Sequence, residues 1–169
     1  MADLITQDLF NGGEDTQRDK YLTFSLGKEE YGIEIKYVRE IIGLQEITEV
    51  PELPPYVKGI INLRGNIIPV LDVRTRFKKP EIEYNDRTCT IVIEVQGVAV
   101  GLIVDAVAEV LSIPERDVVA PPQLGNKYQS QFIKGIGKVG ERVKLLLNCE
   151  KLLNDQELDE ISKSLSDVE

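Results

Sequence analysis

The chain has 169 residues, 42% of them hydrophobic, with 20 Lys+Arg against 29 Asp+Glu and a formal net charge of −9. Such acidity repels a phosphate backbone, which argues against nucleic acid as the main partner, and no apolar run reaches the roughly 18–20 residues that a bilayer crossing needs. Histidine is absent altogether, which removes the commonest general base and transition-metal ligand.

Residues 1–19 are polar, with Asn11-Gly12-Gly13-Glu14-Asp15 at their centre. They are expected to form a flexible arm, and they lack the basic region and apolar stretch of a secretory signal. Residues 21–26 and 31–35 read as a hairpin turned by Gly27-Lys28-Glu29-Glu30. Ile35, Val38, Ile41 and Ile42 then follow helical spacing and Gly43 is a natural stop, which predicts a short helix with Arg39 and Glu40 off its apolar positions. Residues 44–50 read as extended, and Pro51-Glu52-Leu53-Pro54-Pro55 as a stiff connector.

Residues 57–73, VKGIINLRGNIIPVLDV, place two apolar runs around a short polar centre. Gly65-Asn66 tolerates the positive φ of a tight turn. The stretch therefore predicts two antiparallel strands with Arg64 at or near the turn, where a fixed arginine makes a good binding handle. Pro69 lacks an N–H, so its strand is expected at a sheet edge or bulged. Residues 77–87 are polar and turn-rich.

The order of elements then repeats. Val57-Lys58-Gly59-Ile60 recurs as Ile133-Lys134-Gly135-Ile136, a spacing of 76, and residues 21–35 fall on residues 90–104 at a spacing of 69. The second copy thus carries seven extra residues in its middle loop, residues 120–131. At these spacings Glu40 meets Glu109, whereas Arg64 meets Gly140. Short strands with frequent turns, said twice, predict an all-β chain of two small barrels. The expected divisions are an arm at 1–19, subdomains at 20–88 and 89–150 that can exchange strands, and a C-terminal amphipathic helix within 151–169, where Leu158, Ile161 and Leu165 form one apolar stripe.

Competing chemistries find little support. Gly135-Ile136-Gly137-Lys138-Val139-Gly140 matches G-x-G-x-x-G, but a dinucleotide fingerprint needs a helix to follow, and residues 142–149 read as a strand. Asp72 and Asp105 sit at strand ends without a sign of convergence, so solvated or capping roles are expected. Cys89 and Cys149 lie in separate apolar strands and are expected to be free thiols, as in a reducing cytosol. Neither a cofactor nor a metal site is expected.

One two-part signature and four shorter segments carry a resemblance. Val57-Lys58-Gly59-Ile60-Ile61-Asn62-Leu63-Arg64-Gly65, followed by Ile68-Pro69-Val70-Leu71-Asp72-Val73-Arg74, closely resembles the signature of the CheW family of chemotaxis coupling proteins. Val38-Arg39-Glu40-Ile41, Tyr84-Asn85-Asp86, Val100-Gly101-Leu102-Ile103-Val104-Asp105 and Glu150-Lys151-Leu152-Leu153 fit as well. The resemblance covers about residues 20–160. It implies two intertwined five-stranded SH3-like β-barrels, with short helices and a C-terminal helix. It also implies a non-catalytic cytoplasmic adaptor, monomeric when free, that joins chemoreceptor cytoplasmic tips at the inner membrane to the regulatory domain of the histidine kinase CheA. Carried over residue by residue, it puts receptor binding on Val38, Glu40, Gly59, Arg64, Cys89, Thr90 and Val110, in a groove between the barrels, and a kinase-facing edge on Val119, Gln123 and Leu124. A coupling protein of a non-chemotaxis pathway is the alternative within the fold. An acid–base enzyme is the alternative of another class, and the missing histidine stands against it.

Overall fold

The computed structural model describes residues 18–121 and 132–153. Eleven strands are formed there: β1 (Lys20–Leu26), β2 (Glu29–Glu34), β3 (Val38–Gly43), β4 (Val57–Leu63), β5 (Asn66–Asp72), β6 (Cys89–Val95), β7 (Val98–Val104), β8 (Ala106–Ser112), β9 (Val118–Val119), β10 (Ile133–Val139) and β11 (Arg142–Leu147). Two short helices, α1 (Val73–Arg76) and α2 (Cys149–Leu153), follow β5 and β11. The stripe through Leu158, Ile161 and Leu165 lies outside the described residues.

The strands form two sheets, in the orders β8-β1-β2-β11-β10-β9 and β3-β6-β7-β5-β4. Under the sequence repeat these orders are the same, with one hairpin exchanged. The β1–β2 hairpin pairs with β8 and β11 from the second half, and β6–β7 pairs with β3 and β5 from the first. Register repeats as well: Gly32 stands beside Leu146 in one parallel pair, and its counterpart Gly101 stands beside Val70 in the other. A register shift falls between Val57 and Gly59 in β4 and between Ile133 and Gly135 in β10.

Each sheet also returns on itself. Beyond β3 the chain reaches β4, where Thr48 and Ile60 exchange two backbone hydrogen bonds of 2.9 Å. Beyond β8 the chain forms β9, where Val119 pairs with Ile136, the repeat counterpart of Ile60. One segment therefore serves both ends of each sheet, which is how a barrel removes its free edges. Counted by strands, one sheet has six members rather than five, the sixth being the two-residue β9.

Alternation along the strands builds the cores. On β6, Ile91, Ile93 and Val95 face a core shared by both sheets, while Val92 faces the interior of its own sheet with Ile61, Ile68, Val70 and Ile103. Tyr21, Ile113 and Leu146 fill the corresponding interior of the other sheet. Rings of Phe24, Tyr31, Phe77 and Phe132 stack in series through the shared core, with centroids 5.5–5.6 Å apart. Strands buried on both faces explain why the sequence shows near-continuous apolar runs.

Two expectations need correction. The helix expected over residues 35–42 is a single 3₁₀ turn at Ile35–Tyr37 followed by strand β3. Val38 pairs with Ile93 and Ile41 with Ile91, so three residues on β3 span two on β6. This bulge turns Val38 and Ile41 to the same core and so copies helical spacing. Likewise β5, which carries Pro69, is an interior strand. The ladder to β7 begins one residue later, at Val70, and the bulge nearby belongs to β4.

Candidate functional site

The β4–β5 turn is built by its sequence. Leu63 pairs with Asn66, leaving Arg64-Gly65 as a two-residue loop. Both loop residues take positive φ, 52° and 88°, the signature of a type I′ turn whose twist matches its strands. The Asn62 side chain locks it, Oδ1 accepting from the Gly65 N–H at 2.8 Å. Asn62 was not singled out in the sequence, although an Asn just ahead of a turn is a known local lock.

From that turn Arg64 Nη2 donates to Glu40 Oε2 on β3. The two side chains differ in exposure: 68% for Arg64 and 21% for Glu40. Glu40 Oε1 is buried and has no hydrogen-bond partner among the described residues. The contact is thus one-pronged and leaves most of the guanidinium fork open to solvent. A neighbouring cross-strand pair, Arg39 Nε to Glu94 Oε2 at 2.5 Å, adds charge on the same strand. Arg39 is the bulge residue between Val38 and Glu40, and only the fold brings its side chain to Glu94.

The other expected receptor-facing residues divide by burial. Val38 is 4% and Thr90 1% exposed, so both support the surface from beneath. Gly59 has φ +152°, and a Cβ there would lie 2.2 Å from the Thr48 carbonyl oxygen. Glycine is what lets β4 approach residue 48 closely. Cys89 is half-buried beside Gly43 of β3, its thiol donating to the Arg87 carbonyl at 3.1 Å. Burial pushes that thiol's pKa up, which keeps it protonated at neutral pH. Thr90 and Cys89 thus lie along β6 from Val92, which pairs with Glu40. Val110 sits in the other sheet, on β8 opposite Leu22, half-buried against the shared core. Val119 is exposed on β9. Gln123 and Leu124 lie outside the described residues.

The carboxylates considered for chemistry serve structure. Asp72 caps α1, Oδ1 accepting from the Arg74 and Thr75 N–H groups, and Oδ2 accepts from the Tyr84 hydroxyl at 2.8 Å. Asp105 is held by Arg74. Both cysteines are free thiols. Gly140 of the G-x-G-x-x-G run lies in a hairpin turn followed by β11 rather than a helix. Among the described residues no cluster of His, Cys, Asp or Glu could hold a metal ion, and no helix is long and apolar enough to cross a membrane.

A family model described as the CheW-like domain matches residues 20–157. The chain belongs to the CheW family. Chemotaxis protein CheW of Klebsiella aerogenes is 36% identical over 167 residues, covering 97% of this chain and 99% of that protein. Chemotaxis protein CheW of Bacillus subtilis is 33% identical over 138 residues, 82% of this chain and 88% of its own. Among solved structures, the scaffolding protein TtCheW of Thermoanaerobacter tengcongensis matches with a TM-score of 0.76 and 36% identity, covering 82% of this chain and 94% of that one. None of these relatives is named for a catalysed reaction, and the CheW family is one of non-catalytic scaffolds. The all-β architecture described above is the one the CheW family shares.

Proposed function

We propose that the chain is a cytoplasmic chemotaxis scaffold that couples methyl-accepting chemoreceptors to the regulatory domain of the histidine kinase CheA. The observation that carries this reading is the Arg64–Glu40 pair: a solvent-facing arginine fixed by a rigid turn and held by a carboxylate on β3. An exposed pair of this kind contributes little to folding, whereas a guanidinium with free donors suits recognition of a partner's oxygen atoms.

In this reading a receptor helix lies in the groove with apolar residues against Val110 and Cys89, and Arg64 and Glu40 set its register. Val38, Gly59 and Thr90 act from below by holding the surface in shape. The kinase domain takes the outer edge at Val119, Gln123 and Leu124, so both partners can bind together and gather at receptor arrays. The names and scaffold role of the relatives support this.

Calorimetry with a soluble receptor fragment and with the CheA regulatory domain, followed by gel filtration of the three together, tests it. Binding to each and a ternary peak are expected. Binding of one partner that displaces the other would refute the coupling role.

A further inference from the structure

The two sheets carry corresponding clefts, and only one of them has a strap along its wall. Ile47 and Val118 each precede the residue that pairs with Ile60 or Ile136, and each places a methyl carbon, at 2.9 Å and 2.7 Å, against the site of a Cβ on Gly59 or Gly135. With them, Lys58 of β4 and its counterpart Lys134 of β10 line the two clefts. In the first cleft residues 81–84 form one wall: Glu81 accepts from Lys58 Nζ at 2.5 Å, and the Tyr84 hydroxyl donates to Asp72. The space left beside that strap is about 350 Å³. In the second cleft no described residue from beyond β11 forms a wall, and the space is about 690 Å³.

Charge sets the larger cleft apart from the rest of the surface. Arg18, Lys20, Lys36 and Lys134 line it, four cations against the three carboxylates of Asp19, Glu34 and Glu115, in a chain whose net charge is −9. Lys36 and Lys134 share Glu34, and Lys134 Nζ also lies over the Tyr21 ring, 5.1 Å from its centroid. Arg18 and Lys20 are exposed and belong to no ion pair among the described residues. The Asp19 carbonyl between them accepts the Ile113 N–H at 2.8 Å, which anchors the short segment that presents both cations.

We propose that this cleft binds an acidic, extended segment of a protein partner, which stands where residues 81–84 stand in the first cleft and sets its carboxylates against Arg18 and Lys20. Clustered basic side chains are a recurring means of recognising acidic motifs. The proposal rests on the adaptor reading above, because the partner is assigned by contiguity. Val118 lines the cleft, and Val119, the next residue, is on the proposed kinase edge, whereas neither Val110 nor the Arg64 turn lines it. The acidic segment therefore belongs to the kinase regulatory domain. The chain's own stripe of Leu158, Ile161 and Leu165 needs an apolar bed, and among the described residues only Tyr21 and Val118 give this cleft an apolar lining.

The experiment titrates wild type, Arg18→Glu, Lys20→Glu and the double variant against the CheA regulatory domain and against a receptor fragment. Lys28→Glu is the control, since it makes the same change of charge at an exposed turn beyond the far end of β1. Each cleft variant should weaken kinase-domain binding about fivefold, and the double variant should weaken it further. The deficit should shrink at high salt. Receptor binding, and both bindings of Lys28→Glu, should stay within about twofold of wild type. Equal loss with Lys28→Glu, or toward the receptor fragment, would mean a general field rather than a cleft. That result, or kinase-domain binding unchanged in both cleft variants, overturns the proposal and leaves the adaptor reading intact. Glu157 and Asp159 fall on Glu81 and Glu83 at the spacing of 76. If Glu157→Lys with Asp159→Lys tightens kinase-domain binding, the cleft belongs to the chain's own C-terminal residues and the proposal is overturned. Failure of wild type to bind the kinase domain would remove both readings.

Discussion

Arg74 grips Asp105 by both carboxylate oxygens, Nε to Oδ1 at 2.8 Å and Nη2 to Oδ2 at 2.6 Å, and the same carboxylate accepts the Gly27 N–H at 2.7 Å. The contact ties α1 to the end of β7 and to the β1–β2 turn, so it crosses between the two sheets at the point where their hairpins are exchanged. Both side chains are largely buried, 13% and 18% exposed. In such a site a two-pronged pair is a stronger tie than a surface ion pair.

This gives a pH dependence. Burial pushes the Asp105 pKa up, but the hydrogen bonds from Arg74 and Gly27 and the nearby positive charge outweigh it, and the net shift is downward. A carboxyl with a depressed folded pKa adds stability that is complete above its unfolded value, about 4, and is lost as pH falls through the folded value. Asp105→Asn should cost about 2–3 kcal/mol at pH 7. The gap to wild type should narrow below about pH 4. Denaturant melts across that range measure it; a gap that stays constant with pH would show that the pair is not what links stability to protonation.

The exchanged hairpins make a second prediction. Cutting the chain after Thr88 gives one piece with β1–β5 and another with β6–β11. Neither piece alone contains the strand neighbours of its own sheets, because β1 needs β8, β2 needs β11, and β3 and β5 need β6 and β7. Residues 1–88 and 89–169 should therefore lack cooperative melts when separate and regain one on mixing. Circular dichroism of each piece and of the mixture checks this. A cooperative transition in either isolated piece would mean that the halves are independent domains.

Gly59 offers a test of the close approach at the barrel seam. Gly59→Ala forces a side chain into positive φ and against the Thr48 carbonyl. The backbone term alone is about 1–3 kcal/mol, and the clash also threatens the Thr48–Ile60 bridge. Gly43→Ala, where nothing lies within 4 Å, is the control and should melt within a degree or two of wild type, given that unstrained surface changes fall within about 0.5 kcal/mol. Equal melting of the two variants would refute the seam as a constraint.

Much of this was legible because β-sheet geometry leaves a period in the sequence. The repeat at spacings of 69 and 76 foretold the shared register of Gly32 and Gly101, and Gly65 foretold a tight turn at Arg64. What failed, failed for physical reasons. The bulge at β3 converts a two-residue period into a three-residue one, so Val38 and Ile41 read as helical. The exchange of hairpins leaves no local trace, since β1 looks the same whichever half supplies its neighbour. Buried partners such as Arg74 and Asp105 meet only through tertiary structure. The same holds for the difference between Val38, which is sealed in the core, and Arg64, which faces water: both match the family's pattern, and only packing separates support from contact.

Arg64 itself carries the last prediction. Its guanidinium touches Glu40 with one nitrogen and leaves the remaining donors exposed. Removing an exposed pair should change folding by less than about 1 kcal/mol. Binding should respond differently, because a planar fork of donors offers a geometry that lysine's point charge cannot copy. Arg64→Lys should therefore weaken receptor binding despite the retained charge, and Arg64→Ala should weaken it further, with Glu40→Gln in between because Arg64 keeps its turn but loses its anchor. Kinase-domain binding should be spared in all three, since that partner is assigned to the other sheet. Parallel titrations against the receptor fragment and the kinase domain, with melts as control, decide the matter. Equal losses toward both partners, or a melt that collapses with Arg64→Ala, would make the arginine a structural element of the hairpin and move the receptor site elsewhere.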